Sequence, residues 1–258
     1  MSAAIRGWRL DGDRWTTADS LPLTDRGLRY GMSVFETIGV RDGQALFMEE
    51  HAKLLSSSAK NLLGVDFRPV SPPLEPHNRG MLRIYITAGD GGPADMVVNP
   101  RVFALFESVS GELPDDQSAR MHPEPVTPFA HGAKTGNYWA QCAAQAAARK
   151  AGFDHALLSD NEGRLLSAAM GNVFFVRDGE LCTPALSLAV RAGIMRSWVM
   201  SQESIREVKA AADSLEKAQE IFLTNSRLGV MPLRFGKVAP GPVGCALRDR
   251  CRREKIIP

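Results

Sequence analysis

The sequence predicts an α+β protein of two lobes, and three observations carry that prediction. Two strand-turn-strand signatures share the tetrapeptide Val-Arg-Asp-Gly, at 40–43 and 176–179. Runs with helical periodicity stand among strand-like runs, so each lobe mixes helix with mostly antiparallel strand. The stretch 111–128 is polar and proline-rich enough to link two lobes. The expected organisation is therefore a small N-terminal lobe at 1–110, a connector at 111–128 and a larger C-terminal lobe at 129–258.

In chain order, residues 37–40 and 44–47 are strands joined by Arg-Asp-Gly, because Asp-Gly supplies the positive φ of a tight hairpin. Residues 49–63 place Leu54, Leu55, Ala59, Leu62 and Leu63 at helical spacing, which predicts an amphipathic helix. Pro69, Pro72, Pro73 and Pro76 interrupt regular structure before a β-branched strand at 80–87, which runs into the glycine-rich loop 88–92. A buried strand is expected at 102–106. Past the connector, 137–150 is an alanine-rich helix stopped by Gly152. Strands at 155–159 and 165–169, with the second hairpin at 173–176 and 180–183, make a largely antiparallel sheet. Helices are expected at 194–202 and 211–219 and a strand at 220–224. Most of Trp8, Trp15, Trp139 and Trp198 are expected in the core.

A chain of 258 residues with 44% hydrophobic content can bury a full core. Thirty-one basic against twenty-nine acidic residues leave a formal charge of +2, without the strong positive field that nucleic acid or an anionic membrane would attract. A small-molecule partner is expected. Cys142, Cys182, Cys245 and Cys251 are scattered, which argues against a metal cluster and fits a reducing cytoplasm. No run approaches the ~20 apolar residues that span a bilayer, and the N-terminus carries no long apolar segment, so a soluble cytoplasmic protein is expected.

Three places could carry chemistry. Lys134 lies in His-Gly-Ala-Lys-Thr-Gly-Asn-Tyr, 131–138, among small residues that would let a planar ligand approach. Its ε-amine becomes a nucleophile at neutral pH when burial or a nearby cation lowers a pKa ordinarily near ~10.4. Gly193, Ile194 and Met195 form a glycine turn feeding a helix, whose free N–H groups and dipole cradle anions. Thr224, Asn225 and Ser226 follow a strand, where hydroxyls and amides bind a phosphate or close a turn. Together they suggest one ligand: a phosphorylated aldehyde held by its phosphate on two loops and by the lysine as an imine.

The collinear run of Asp-Arg-Gly-Leu-Arg-Tyr-Gly-Met-Ser-Val-Phe-Glu-Thr (25–37), Glu50-His51, Lys134-Thr-x-Asn-Tyr, Gly163, Asn172-Val-Phe, Thr183-Pro, Gly193-Ile-Met-Arg and Thr224-Asn-Ser resembles the class IV aminotransferases. The resemblance implies the two-domain D-amino-acid-aminotransferase-like architecture called fold type IV, pyridoxal 5'-phosphate as cofactor, a small-molecule amino substrate, no metal and a homodimer. It makes Lys134 the Schiff-base lysine and proton shuttle. It assigns the cofactor phosphate to the backbone at Gly193, Ile194 and Met195 and to the Thr224, Asn225 and Ser226 run, and puts Tyr138 near the ring oxygen. Tyr30, Phe35 and Arg83 would line the substrate pocket, Arg83 as partner of a carboxylate.

Two departures stand out. Relatives carry a glutamate at the position of Ser167, where it pairs with the pyridine nitrogen, and an arginine at the position of Leu54, where it holds the phosphate. The turn after Tyr30 also reads Gly-Met-Ser where relatives have Gly-Asp-Gly. The Gly-Ile-Met-Arg form and the Leu-Thr-Asn-Ser-Arg-Leu-Gly-Val-Met-Pro run resemble 4-amino-4-deoxychorismate lyase most. The alternatives are an aminotransferase for D-amino or branched-chain amino acids and, on Ser167 and Leu54, a catalytically impaired homologue that binds ligand without turnover.

Overall fold

Strands β1 (Ile5–Asp11) and β2 (Arg14–Thr17) open the computed structural model, which describes residues 5–258, the His131 side chain aside. Helix α1 (Arg26–Tyr30), β3 (Ser33–Arg41), β4 (Gln44–Ala45), α2 (Met48–Leu63), β5 (Gly80–Thr87) and β6 (Arg101–Ser108) follow. The strands form a sheet in the order β2-β1-β6-β5-β3-β4, antiparallel throughout. Asp42 at φ 51° and Gly43 at φ 74° turn β3 into β4, the two left-handed residues that a tight hairpin requires.

Alternation along the strands puts Val34, Ile38, Val40, Leu82, Ile84 and Ile86 on one face, which packs with Leu55 and Ala59 of α2. Glu36 shares that face and meets His51 of α2, Oε2 to Nδ1 3.0 Å, both side chains at 3% exposure or less. The Asp-Arg-Gly of the motif turns out to be structural. Asp25 caps α1 by accepting from the Gly27 N–H, and also accepts from the Thr87 hydroxyl and Arg101. Fully buried Arg26 donates to the carbonyls of Ala88, Gly89 and Asp95, tying down the glycine-rich loop.

The second unit holds β7 (Gln117–Met121), α3 (Trp139–Lys150), β8 (His155–Ser159), β9 (Leu165–Ala168), β10 (Asn172–Arg177), β11 (Glu180–Pro184), α4 (Ile194–Gln202), β12 (Arg206–Val208), β13 (Glu220–Asn225), β14 (Gly229–Arg234) and α5 (Pro242–Arg253). Its sheet runs β12-β11-β10-β13-β14-β7-β8-β9, with β11/β12, β14/β7 and β7/β8 parallel and the other neighbours antiparallel. Leu157, Leu165, Val173, Phe175, Ile221, Leu223, Met231 and Leu233 fill one core face. On the other, Phe174 stacks on Phe222 at 5.1 Å, and Glu220 accepts from the N–H groups of Val243 and Gly244 at the start of α5. Among the described residues no helix is long and apolar enough to cross a membrane.

Three expectations need correction. The connector 111–128 contains β7, a strand paired on both sides in the second sheet; it has too little apolar alternation to read as one. The helix expected at 211–219 is present as a 3-10 helix, Ala212–Lys217. Trp139 is 83% exposed, outside any core. Lys134 does not group with the C-terminal lobe, since Ala133–Tyr138 and Ile257–Pro258 belong to the first unit. The cause is backbone pairing: Phe35 N–H donates to the Lys134 carbonyl at 3.0 Å and Gly136 N–H to the Ser33 carbonyl at 2.9 Å. Strand β4 is only two residues long, so the first half of β3 has an open edge for this segment to take.

Candidate active site

In the first unit, Lys134 is half-buried on that edge segment, its Nζ 5.4 Å from the centre of the Phe35 ring. Phe35 lies directly opposite Tyr85 on β5 and stacks on it at 5.2 Å, while Tyr138 meets the same ring edge-on at 5.4 Å. Lys134, Tyr138 and Phe35 are therefore brought together, and Tyr85 with them; burial pushes the Tyr85 phenol pKa up. Tyr85 escaped sequence reading because only the β3/β5 register puts it against Phe35. The glycine beside Lys134 serves the backbone. A Cβ on Gly136 would lie 2.5 Å from Ser33 Oγ and 2.8 Å from the Gly31 carbonyl oxygen.

Arg83 sits one pair further along the same face, opposite Thr37, and forms an ion pair with Glu107 of β6. The expected partner of a substrate carboxylate thus carries a carboxylate of its own chain, and Glu107 is a charged neighbour that the motifs did not signal. Tyr30 ends α1 at 38% exposure, with the Arg29 guanidinium 4.8 Å over its ring.

In the second unit, Gly193 is the N-cap of α4 and offers no side chain to cap it. The first-turn N–H groups, those of Ile194 and Met195 among them, lack partners inside the helix. A Cβ on Gly193 would collide with Asn172 Oδ1, while Asn172 Nδ2 donates to the Arg191 carbonyl at 2.7 Å. Asn172 and Thr224 are direct neighbours across β10 and β13, so their side chains share a face. Thr224 is 1% exposed, and its buried hydroxyl has no partner among the described residues. Asn225 takes the turn role, its Oδ1 accepting from the N–H groups of Arg227 and Leu228. Ser226 is half-buried beside it, and Ser167 is half-buried on β9 opposite Leu158. An uncapped helix end beside an unpaired buried hydroxyl is chemistry suited to an anion.

Residues 33–234 match the family described as amino-transferase class IV. The chain belongs to the class IV aminotransferases. It is 28% identical over 234 residues to a putative branched-chain-amino-acid aminotransferase of Methanocaldococcus jannaschii, covering 81% of this chain and 80% of the relative. It is 26% identical over 238 residues to an aminodeoxychorismate lyase of Vibrio harveyi, covering 83% and 86%. The crystal structure of an aminotransferase from Brucella abortus bound to PLP aligns with a TM-score of 0.81 at 21% identity, covering 96% of this chain and 99% of that one. A fold IV-transaminase from Curtobacterium pusillum aligns with a TM-score of 0.80 at 19% identity, covering 98% of this chain and 99% of that one, and this likeness gives the chain its fold type IV architecture of two sheets with few helices.

Proposed function

We propose that this chain is a cytoplasmic, homodimeric PLP enzyme that cleaves 4-amino-4-deoxychorismate to 4-aminobenzoate and pyruvate. The observation that carries the cofactor assignment is the uncapped α4 N-terminus next to the unpartnered, buried Thr224 hydroxyl, which fits a phosphate. Gly193, Ile194 and Met195 would hold the phosphate through the backbone, with Thr224, Asn225 and Ser226 beside them. Lys134 would hold the aldehyde carbon, with Tyr138 serving the ring oxygen and Ser167 the ring nitrogen. Tyr30 and Phe35 bound the substrate with Arg83. When bound, pyridoxal phosphate supplies an electron sink for the carbon bearing the substrate amine.

Lys134 takes the ring proton of the substrate and delivers it to the departing enolpyruvyl group. The C–O bond breaks, the ring becomes aromatic, and no oxidant or reductant is needed. The Gly193-Ile-Met-Arg form supports the lyase reading. The similarity to a branched-chain aminotransferase favours a second reading, transfer of an amino group from a D-amino or branched-chain amino acid.

Purified protein should be yellow, and borohydride should fix the cofactor to the peptide containing Lys134. Incubation with 4-amino-4-deoxychorismate should release 4-aminobenzoate and pyruvate in equal amounts. Pyridoxamine phosphate accumulating with D-alanine or L-leucine alone would decide for the transaminase. Colourless protein that takes up no cofactor would sink both.

A further inference from the structure

We propose that Glu107 is a specificity-determining residue of this site: it occupies Arg83 between turnovers and yields it to the carboxylate of an incoming substrate, an inference that rests on the cofactor reading above. Opposite the face that packs on α2, strands β3, β5 and β6 of the first unit set side chains in three rows. These are Phe35, Tyr85 and Phe103; then Thr37, Arg83 and Leu105; then Gly39, Met81 and Glu107. Successive rows lie roughly 7 Å apart, two residues along a strand. Lys134 Nζ and the Tyr138 ring both meet Phe35 in the first row, so the reacting amine of the proposed mechanism stands one row from Arg83. Across β1 the first row continues to Arg9, which Asp11 holds at 2.8 Å. Beyond Lys134, Arg83 is therefore the cation that a carboxylate on this face would meet.

Glu107 already holds that cation. Its carboxylate takes Arg83 through Nη1, and the rest of the guanidinium fork has no partner among the described residues. Both side chains keep part of their surface in solvent, 30% for Arg83 and 33% for Glu107, so water screens the pair and its exchange costs little. The two charges act on one neighbour with opposite sign: burial raises the Tyr85 phenol pKa most, while Arg83 lowers it and Glu107 raises it. The pair is neutral as a whole. An approaching carboxylate therefore meets no net attraction and bonds Arg83 only against the repulsion of Glu107. That competition weakens a product carboxylate as much as a substrate carboxylate, so neither is held too tightly to leave. An uncharged group in the same place is indifferent to it. The fork geometry that suits Arg83 to a bidentate carboxylate is kept throughout.

The test titrates the full chain, loaded with pyridoxal 5'-phosphate, with 4-aminobenzoate and with 4-aminobenzamide, whose uncharged amide replaces the carboxylate. Glu107→Gln keeps the shape and removes the competing charge. It should bind 4-aminobenzoate about ten- to a hundredfold more tightly, the range of one charge-assisted contact, with 4-aminobenzamide within about twofold of wild type. The gain should vanish when Arg83→Gln is added. Asp11→Asn, which removes a carboxylate from Arg9 instead, should leave the ratio of the two affinities unchanged. A glutamate that merely orients Arg83 gives the opposite sign, so weaker 4-aminobenzoate binding in Glu107→Gln overturns the proposal. An unchanged ratio, no detectable 4-aminobenzoate binding in Glu107→Gln, a gain that survives Arg83→Gln, or an equal gain in Asp11→Asn overturns it as well. Borohydride treatment of the wild type separates the two readings. No cofactor fixed to Lys134 overturns the cofactor reading, and this one with it; fixation alongside an unchanged ratio in Glu107→Gln overturns this one alone.

Discussion

At the ring-nitrogen position proposed for it, Ser167 offers a hydroxyl in place of a carboxylate, and a charged hydrogen bond is worth about 1.5–3 kcal/mol. Ser167→Glu is therefore expected to speed α-proton loss from a bound amino acid by about ten- to a hundredfold, read as the single-turnover absorbance change. An unchanged rate would remove position 167 from the ring nitrogen. Lys134→Ala should lose at least about a hundredfold in turnover and all borohydride fixation, since a positioned acid-base group contributes about that much or more. At this scale the motifs were legible wherever chemistry forces a residue type: an amine for an aldehyde, glycine for a crowded cap. They were silent on Glu107 and Tyr85, because a partner one strand away leaves no local mark.

At the scale of elements, the edge segment that carries Lys134 depends on close backbone approach. Gly136→Ala would drive a methyl against Ser33 and the Gly31 carbonyl, costing about 1–3 kcal/mol as overpacking does. The melting temperature and cofactor loading should fall together; a variant as stable and as fully loaded as wild type would contradict this account. Helix α2 is pinned by Glu36 and His51. Glu36→Ala leaves that imidazole without its carboxylate and should cost at least about 2 kcal/mol in chemical denaturation. Both hairpins could be placed from sequence because Asp-Gly encodes its own turn. Strand β7 could not, because its parallel neighbours β8 and β14 come from distant parts of the chain and its five residues carry no clear period.

Across the whole molecule, stability should depend on His155. Burial holds its imidazole pKa down at about 4 from the ordinary 6.5; Nε2 faces Gln117 Oε1 at 2.8 Å while Nδ1 is buried without a partner among the described residues. As pH falls below 6.5 the unfolded chain takes up a proton that the folded chain refuses until about 4. Stability from the neutral ring is thus fully present above 6.5 and lost towards 4, a change on the order of 3 kcal/mol. His155→Gln should flatten denaturation midpoints across that window; an unaltered slope would discount the burial. Residue order alone determined the α+β class, the two Asp-Gly turns, the long helices and the types of group available for chemistry, because those follow from local dihedral preference and hydrophobic period. Only the tertiary structure decided that Lys134 joins the first sheet, that Arg83 meets Glu107 and that the Thr224 hydroxyl is left unpaired. Each of these depends on which distant backbones hydrogen-bond and which side chains then share a face, a choice made by long-range pairing and burial.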